Sequence, residues 1–95
     1  MKFKEADLNH DNAVGWWFEC SMISTCAPLF DDCSSNHDVE TKLRKAGVLS
    51  DMMTDTESCA LVVNFTTKHQ GVTFIERINK YLAEKEYRMK KALDF

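Results

Sequence analysis

The sequence predicts an α+β domain, a small two- to three-stranded sheet packed on one face by a short helix and a long C-terminal amphipathic helix, in the order β-α-(β)-β-α. Three observations carry this. Apolar residues alternate with period two around Val14–Ile23 and again around Cys59–Thr67. They recur at helical spacing from Val72 to Leu93. The chain has only 95 residues, 44% of them hydrophobic, which suits one folded domain over residues 1–95 and no second core.

Residues 1–12 form a polar N-terminal arm in which only Phe3, Ala6 and Leu8 are apolar, and they read as an arm or a short turn. From Val14, the set Val14, Trp16, Phe18, Cys20 and Met22 alternates with Gly15, Trp17, Glu19, Ser21 and Ile23, the signature of a strand with one apolar face. Trp16 is expected in the core. Trp17 and Ile23 share the opposite face, so that face calls for cover by an arm, a loop or a partner chain. Thr25 to His37 holds Pro28, the pair Asp31-Asp32 and Ser34-Ser35-Asn36, and reads as an irregular loop rich in turn and cap residues.

Asp38 opens a short helix, with Val39, Leu43 and Ala46 at i, i+4 and i+7, a cap from Ser35, Asn36 or Asp38, and Gly47 where a helix-terminating glycine belongs. Val48–Met53 reads as a short edge strand or an extended connection, and Thr54–Ser58 as a turn. In the next strand Leu61, Val63 and Phe65 share one face and Ala60, Val62, Asn64 and Thr66 the other, with Gly71 closing the turn that follows. The last helix, roughly twenty residues long, places Val72, Ile75, Ile78, Leu82, Met89 and Leu93 on one stripe. Glu76/Lys80, Lys80/Glu84, Glu84/Arg88 and Glu86/Lys90 set opposite charges at i, i+4 along its exposed side.

The net charge of −3 conceals a division. Through Ala60 there are five Lys/Arg against eleven Asp/Glu, or −6; from Leu61 onward seven against four, or +3. An acidic whole does not draw nucleic acid or an anionic membrane by its overall field, so direct nucleic-acid binding and membrane association are not expected. A basic protein partner suits the first part of the chain better. No signal-peptide core follows Met1 and an apolar run such as Ala60–Val63 is far short of a membrane span, so a cytoplasmic protein with reduced thiols is expected.

Each candidate chemistry meets a plainer reading. Asp7, Asn9 and Asp11 match the first ligands of a calcium loop, yet Asn12 stands where glycine is required and Phe18 where the bidentate glutamate belongs; a side-chain-capped turn explains them. Cys26, Cys33, His37 and Cys59 are the set that would hold zinc, but no tight Cys-x2-Cys pair occurs, and buried thiols are the expectation, with no cofactor. Cys33 or Cys26 with His37 or His69 would be the nucleophile and base of a thiol enzyme. No phosphate-binding glycine loop, His-Glu-x-x-His or Gly-x-Ser-x-Gly accompanies them, so no catalytic residues are assigned.

The expected function is a non-catalytic protein-binding module contacting a larger basic or nucleic-acid-handling partner through Trp17, Ile23, Asp31, Asp32, Asp38 and Glu40, with homodimerisation as a second use of the Trp17 face. Small acidic single-domain chains of this kind resemble, as a class and without a residue match, the inhibitors of phages and mobile elements, anti-CRISPR proteins among them, and immunity proteins that offer carboxylates to a basic cleft. The alternatives are a zinc-stabilised or nucleic-acid-binding accessory protein using the basic C-terminal helix, and third, a small thiol-dependent enzyme.

Overall fold

The computed structural model of the chain describes residues 3–20, 33, 35–50, 52–57 and 60–93. The fold is α+β as expected, but with four strands where two or three were expected, β1 (Asn9–Asp11), β2 (Gly15–Cys20), β3 (Met53–Glu57) and β4 (Ala60–Phe65), and with two helices, α1 (Asn36–Lys45) and α2 (Lys68–Leu93). The strands form one antiparallel sheet in the order β1-β2-β4-β3. Both helices lie on the same face, where Val39 and Leu43 of α1 and Phe74, Ile75, Ile78 and Leu82 of α2 join Phe18, Leu61, Val63 and Phe65 of the sheet in one apolar cluster. Burial of these side chains is the main stabilising term.

The polar N-terminal arm contains a short turn, as its sequence implies, and a strand that it does not. It forms a 3-10 turn at Glu5–Asp7 and then edge strand β1, and it delivers Phe3 and Leu8 to the core. Asn79 of α2 fixes it by a reciprocal pair of hydrogen bonds, accepting from the Phe3 N–H at 2.7 Å and donating to the Phe3 carbonyl at 2.8 Å. Lys68 and Glu5 add an ion pair at 2.7 Å. Two of the residues that suggested calcium serve local backbone: Asp7 accepts from the Lys4 N–H, and Asp11 from the Ala13 N–H in the three-residue β1–β2 turn, after which Gly15 opens β2 with a φ of 97°.

Three further expectations are corrected. Thr54–Glu57, read as a turn, is most of β3; Thr and acidic residues alternate there, and an edge strand tolerates such polarity because only one of its faces packs. Gly71 lies inside the first turn of α2, and a Cβ built on it would come within 3.0 Å of Leu8 and 3.2 Å of Phe65, so glycine admits the arm to the helix surface. Helix α2 therefore begins earlier than the apolar stripe indicates and runs 26 residues. Trp16 lies at the core's edge, half-buried between His10, 4.3 Å away ring to ring, and the Lys68 ammonium at 5.7 Å.

Helix α1 starts and stops as its sequence implies. Ser35 caps it by accepting from the Asp38 N–H at 3.2 Å, and Asp38 sits in the first turn, where a carboxylate opposes the positive end of the helix dipole. At the other end the Gly47 N–H donates to the Arg44 carbonyl and the Val48 N–H to the Leu43 carbonyl, closing a Schellman motif in which Gly47 has a φ of 80°. Gly47→Ala is accordingly expected to cost about 1 kcal/mol through backbone strain alone, since a Cβ there has nothing within 4 Å. Chemical denaturation checks this, with an unchanged denaturant slope as the sign that only the turn is affected.

Candidate functional site

The register decides which strand residues share a face. Asn9, Trp17, Asn64 and Met53 form one row across all four strands, and Glu19, Val62 and Asp55 form the next. These rows lie opposite Phe18, Val63 and Phe65, on the face away from both helices. Trp17, Val62 and Asn64 are half-buried, while Glu19 and Asp55 are exposed and Met53 is 72% exposed. Among the described residues no element covers this face, a strip of Trp17, Val62 and Met53 flanked by two carboxylates, and it is the open face of the described sheet.

Charge follows the layers of the fold more closely than the order of the chain. The four strands contain Asp11, Glu19, Asp55 and Glu57 and no Lys or Arg at all. Helix α1 carries three Lys/Arg against two Asp/Glu and α2 seven against three, so the helices together hold +5 and the sheet −4. A partner that met the sheet would encounter acid around an apolar strip; one that met the helices would encounter a basic surface.

Of the residues expected to bind a partner, the three that are described do not gather at one place. Trp17 is on the open face, as its position in the alternation implied. Asp38 and Glu40 are on α1, in the opposite layer, and both act within the fold. The Glu40 carboxylate is only 16% exposed; it accepts from the Thr54 hydroxyl of β3 and from Arg44 Nε at 3.3 Å. Arg44 in turn donates to the Ser50 and Met52 carbonyls at 3.3 and 3.1 Å and to Thr54 Oγ1 at 3.0 Å, so that the cluster ties α1 to β3. Ile23, Asp31 and Asp32 lie outside the described residues. The sequence pattern did not single out Glu19 and Asp55, although their alternation with Phe18 and Thr54 was the available signal.

Of the residues considered for zinc or nucleophilic chemistry, Cys33 is half-buried against the core and in no disulfide, whereas the His37 side chain is 83% exposed, its Nδ1 4.0 Å from Glu40. Cys26 and Cys59 lie outside the described residues. His69 is exposed in the first turn of α2. No group of three His, Cys, Asp or Glu converges for a metal among the described residues. No described helix is long and apolar enough to cross a membrane.

Comparison with protein-family models, with curated proteins and with solved structures finds no match to this chain.

Proposed function

We propose that the chain is a non-catalytic protein-binding module that sets the open face of its sheet against a larger, basic partner, in the manner of a small acidic inhibitor. The observation that supports this most is the composition of that face, a half-buried Trp17 with Val62 and the exposed Met53, bordered by Glu19 and Asp55, on a sheet without a single Lys or Arg. Tryptophan and methionine are favoured at the centre of interfaces, and a rim of one sign steers encounter with a partner of the other. Self-association through this strip is disfavoured, because an isologous contact there would bring the carboxylates of one copy, Glu19 and Asp55, close to those of the other.

The binding residues therefore differ from those the acidic loop suggested. Trp17 stays, Glu19, Asp55 and Met53 join it, and Asp38 and Glu40 leave, since both have structural work in α1.

The test is affinity capture from the native host followed by binding kinetics with the purified partner. Trp17→Ser is expected to raise the dissociation rate, and Glu19→Gln with Asp55→Asn to lower the association rate on the order of tenfold at low salt while flattening its salt dependence. Retention of the same kinetics in both variants, with folding intact by circular dichroism, would remove the sheet face from the interface. A wild-type dimer in sedimentation that Trp17→Ser dissociates would replace the basic partner with a second copy.

A further inference from the structure

A second surface, on the opposite layer, goes beyond this reading. The C-terminal end of α1 and one side of α2 together line a depression of about 580 Å³. Its walls are Lys42 and Lys45 from α1 and Arg77, Lys80 and Arg88 from α2, with Glu84 as the lone carboxylate. The Schellman turn, Ala46 to Val48, and the half-buried Tyr81 complete its lining. Five cations against one anion converge here in a chain whose net charge is −3.

The plainer account of Lys42 and Lys45 is that cations at a helix C-terminus oppose its dipole, and Arg77, Lys80 and Arg88 would belong to a solvated helix face laced with i, i+4 pairs. The geometry exceeds that account in two respects. Among the described residues, closed ion pairs hold Arg44 to Glu40 and Lys68 to Glu5, whereas Arg77, Lys80 and Arg88 enter none with Glu76 or Glu84. The cations also come from two separate helices and face one depression, which dipole compensation on α1 does not require of α2.

We propose that this groove binds single-stranded nucleic acid, with successive phosphates on Lys45, Arg77, Lys80 and Arg88 and a base stacked on Tyr87. From Arg77 to Arg88 the helix advances about 16 Å, the reach of several nucleotides stacked at about 3.4 Å each. Arginine forks match phosphate geometry. A second, apolar depression lined by Ala83 and Tyr87 adjoins the groove through the shared residues Glu84 and Arg88, and Tyr87 is 65% exposed. A cationic track beside an exposed aromatic is how single strands are held without sequence reading. Glu84, set between the two depressions, can accept from the amino group of a seated base and repels a carboxylate, which favours nucleic acid over an acidic peptide.

The probe is a fluorescent oligodeoxycytidine of about twelve nucleotides, titrated with the whole chain and followed by anisotropy between about 50 and 200 mM salt. Binding is expected at the low end. Arg77→Gln with Lys80→Gln should weaken it on the order of tenfold and reduce the salt slope by about 1.4, roughly 0.7 for each phosphate that is no longer neutralised. Lys90→Gln with Lys91→Gln removes the same charge outside the groove and should have a smaller effect. Tyr87→Ala should weaken binding by about tenfold with the salt slope intact. All five positions lie at the surface of α2, so folding is preserved, and circular dichroism confirms it. No binding at low salt, equal losses in the two double variants, or displacement of the oligonucleotide by a poly-glutamate peptide of equal charge would each overturn the proposal. None of these results bears on the sheet face, which the groove variants leave unchanged.

Discussion

Phe74→Ala is expected to lower the unfolding free energy by about 3–5 kcal/mol, the loss found when a buried aromatic ring is removed and its cavity only partly collapses. Phe74 is fully buried where α2 meets the sheet, its ring centroid 5.1 Å from that of Phe18 and 5.5 Å from that of Phe65. Phe18 stands edge-on to Phe3 of the arm at 5.1 Å, so one ring connects helix, central strands and N-terminal segment. A chain of this length has a total stability of roughly 5–14 kcal/mol, and the variant should populate unfolded molecules near physiological temperature. Urea denaturation measures the loss. A midpoint close to that of the wild type would show that the arm, sheet and helix do not share one core.

The parts of this fold that the sequence reveals are those whose pattern is local. Period two in Trp16, Phe18 and Cys20 and in Leu61, Val63 and Phe65 identifies the two central strands, because both bury one face beneath helices. Ser35 and Gly47 mark the limits of α1 by cap chemistry that depends on no other element. The edge strands were hidden for the converse reason. Asn9-His10-Asp11 and Met53 to Glu57 acquire strand geometry by pairing with a neighbouring strand, and neither carries an apolar alternation of its own. Gly71 resembled turn punctuation because its purpose, space for Leu8, lies sixty-three positions away in sequence.

The charge pattern was legible as an imbalance and not as a surface. Counting along the chain places acid early and base late, but it is the pairing of β4 with β2 on one side and β3 on the other that brings Glu19 and Asp55 to either side of Val62 beside Trp17. In the same way, α1 falls in the acidic part of the sequence, yet its last turn contributes Lys42 and Lys45 to the basic groove. Carboxylates near each other in sequence, such as Asp38 and Glu40, were the natural choice for a binding site; folding commits Glu40 to Arg44 and Thr54 instead.

That commitment leads to the other large expected effect. Arg44→Ala should cost about 2 kcal/mol, because it removes the donors of the Ser50 and Met52 carbonyls and of Thr54 Oγ1, and leaves the Met52 carbonyl, which is partly buried, without this partner. The Arg44 side chain is 39% exposed, so the ion pair with Glu40 is the smaller share and is screened by solvent. Salt separates the two shares. If the hydrogen bonds to neutral carbonyls dominate, the stability difference between wild type and Arg44→Ala should persist at about 1 M salt, where the Debye length is about 3 Å; if the ion pair dominates, it should shrink toward zero there. Glu40→Gln, which retains an acceptor for Thr54 and Arg44 while removing the charge, should cost less than Arg44→Ala under the first account and about as much under the second. A Glu40 variant that loses partner binding in step with its loss of stability would then report on the junction of α1 with β3, leaving Trp17, Glu19 and Asp55 as the residues that test the interface itself.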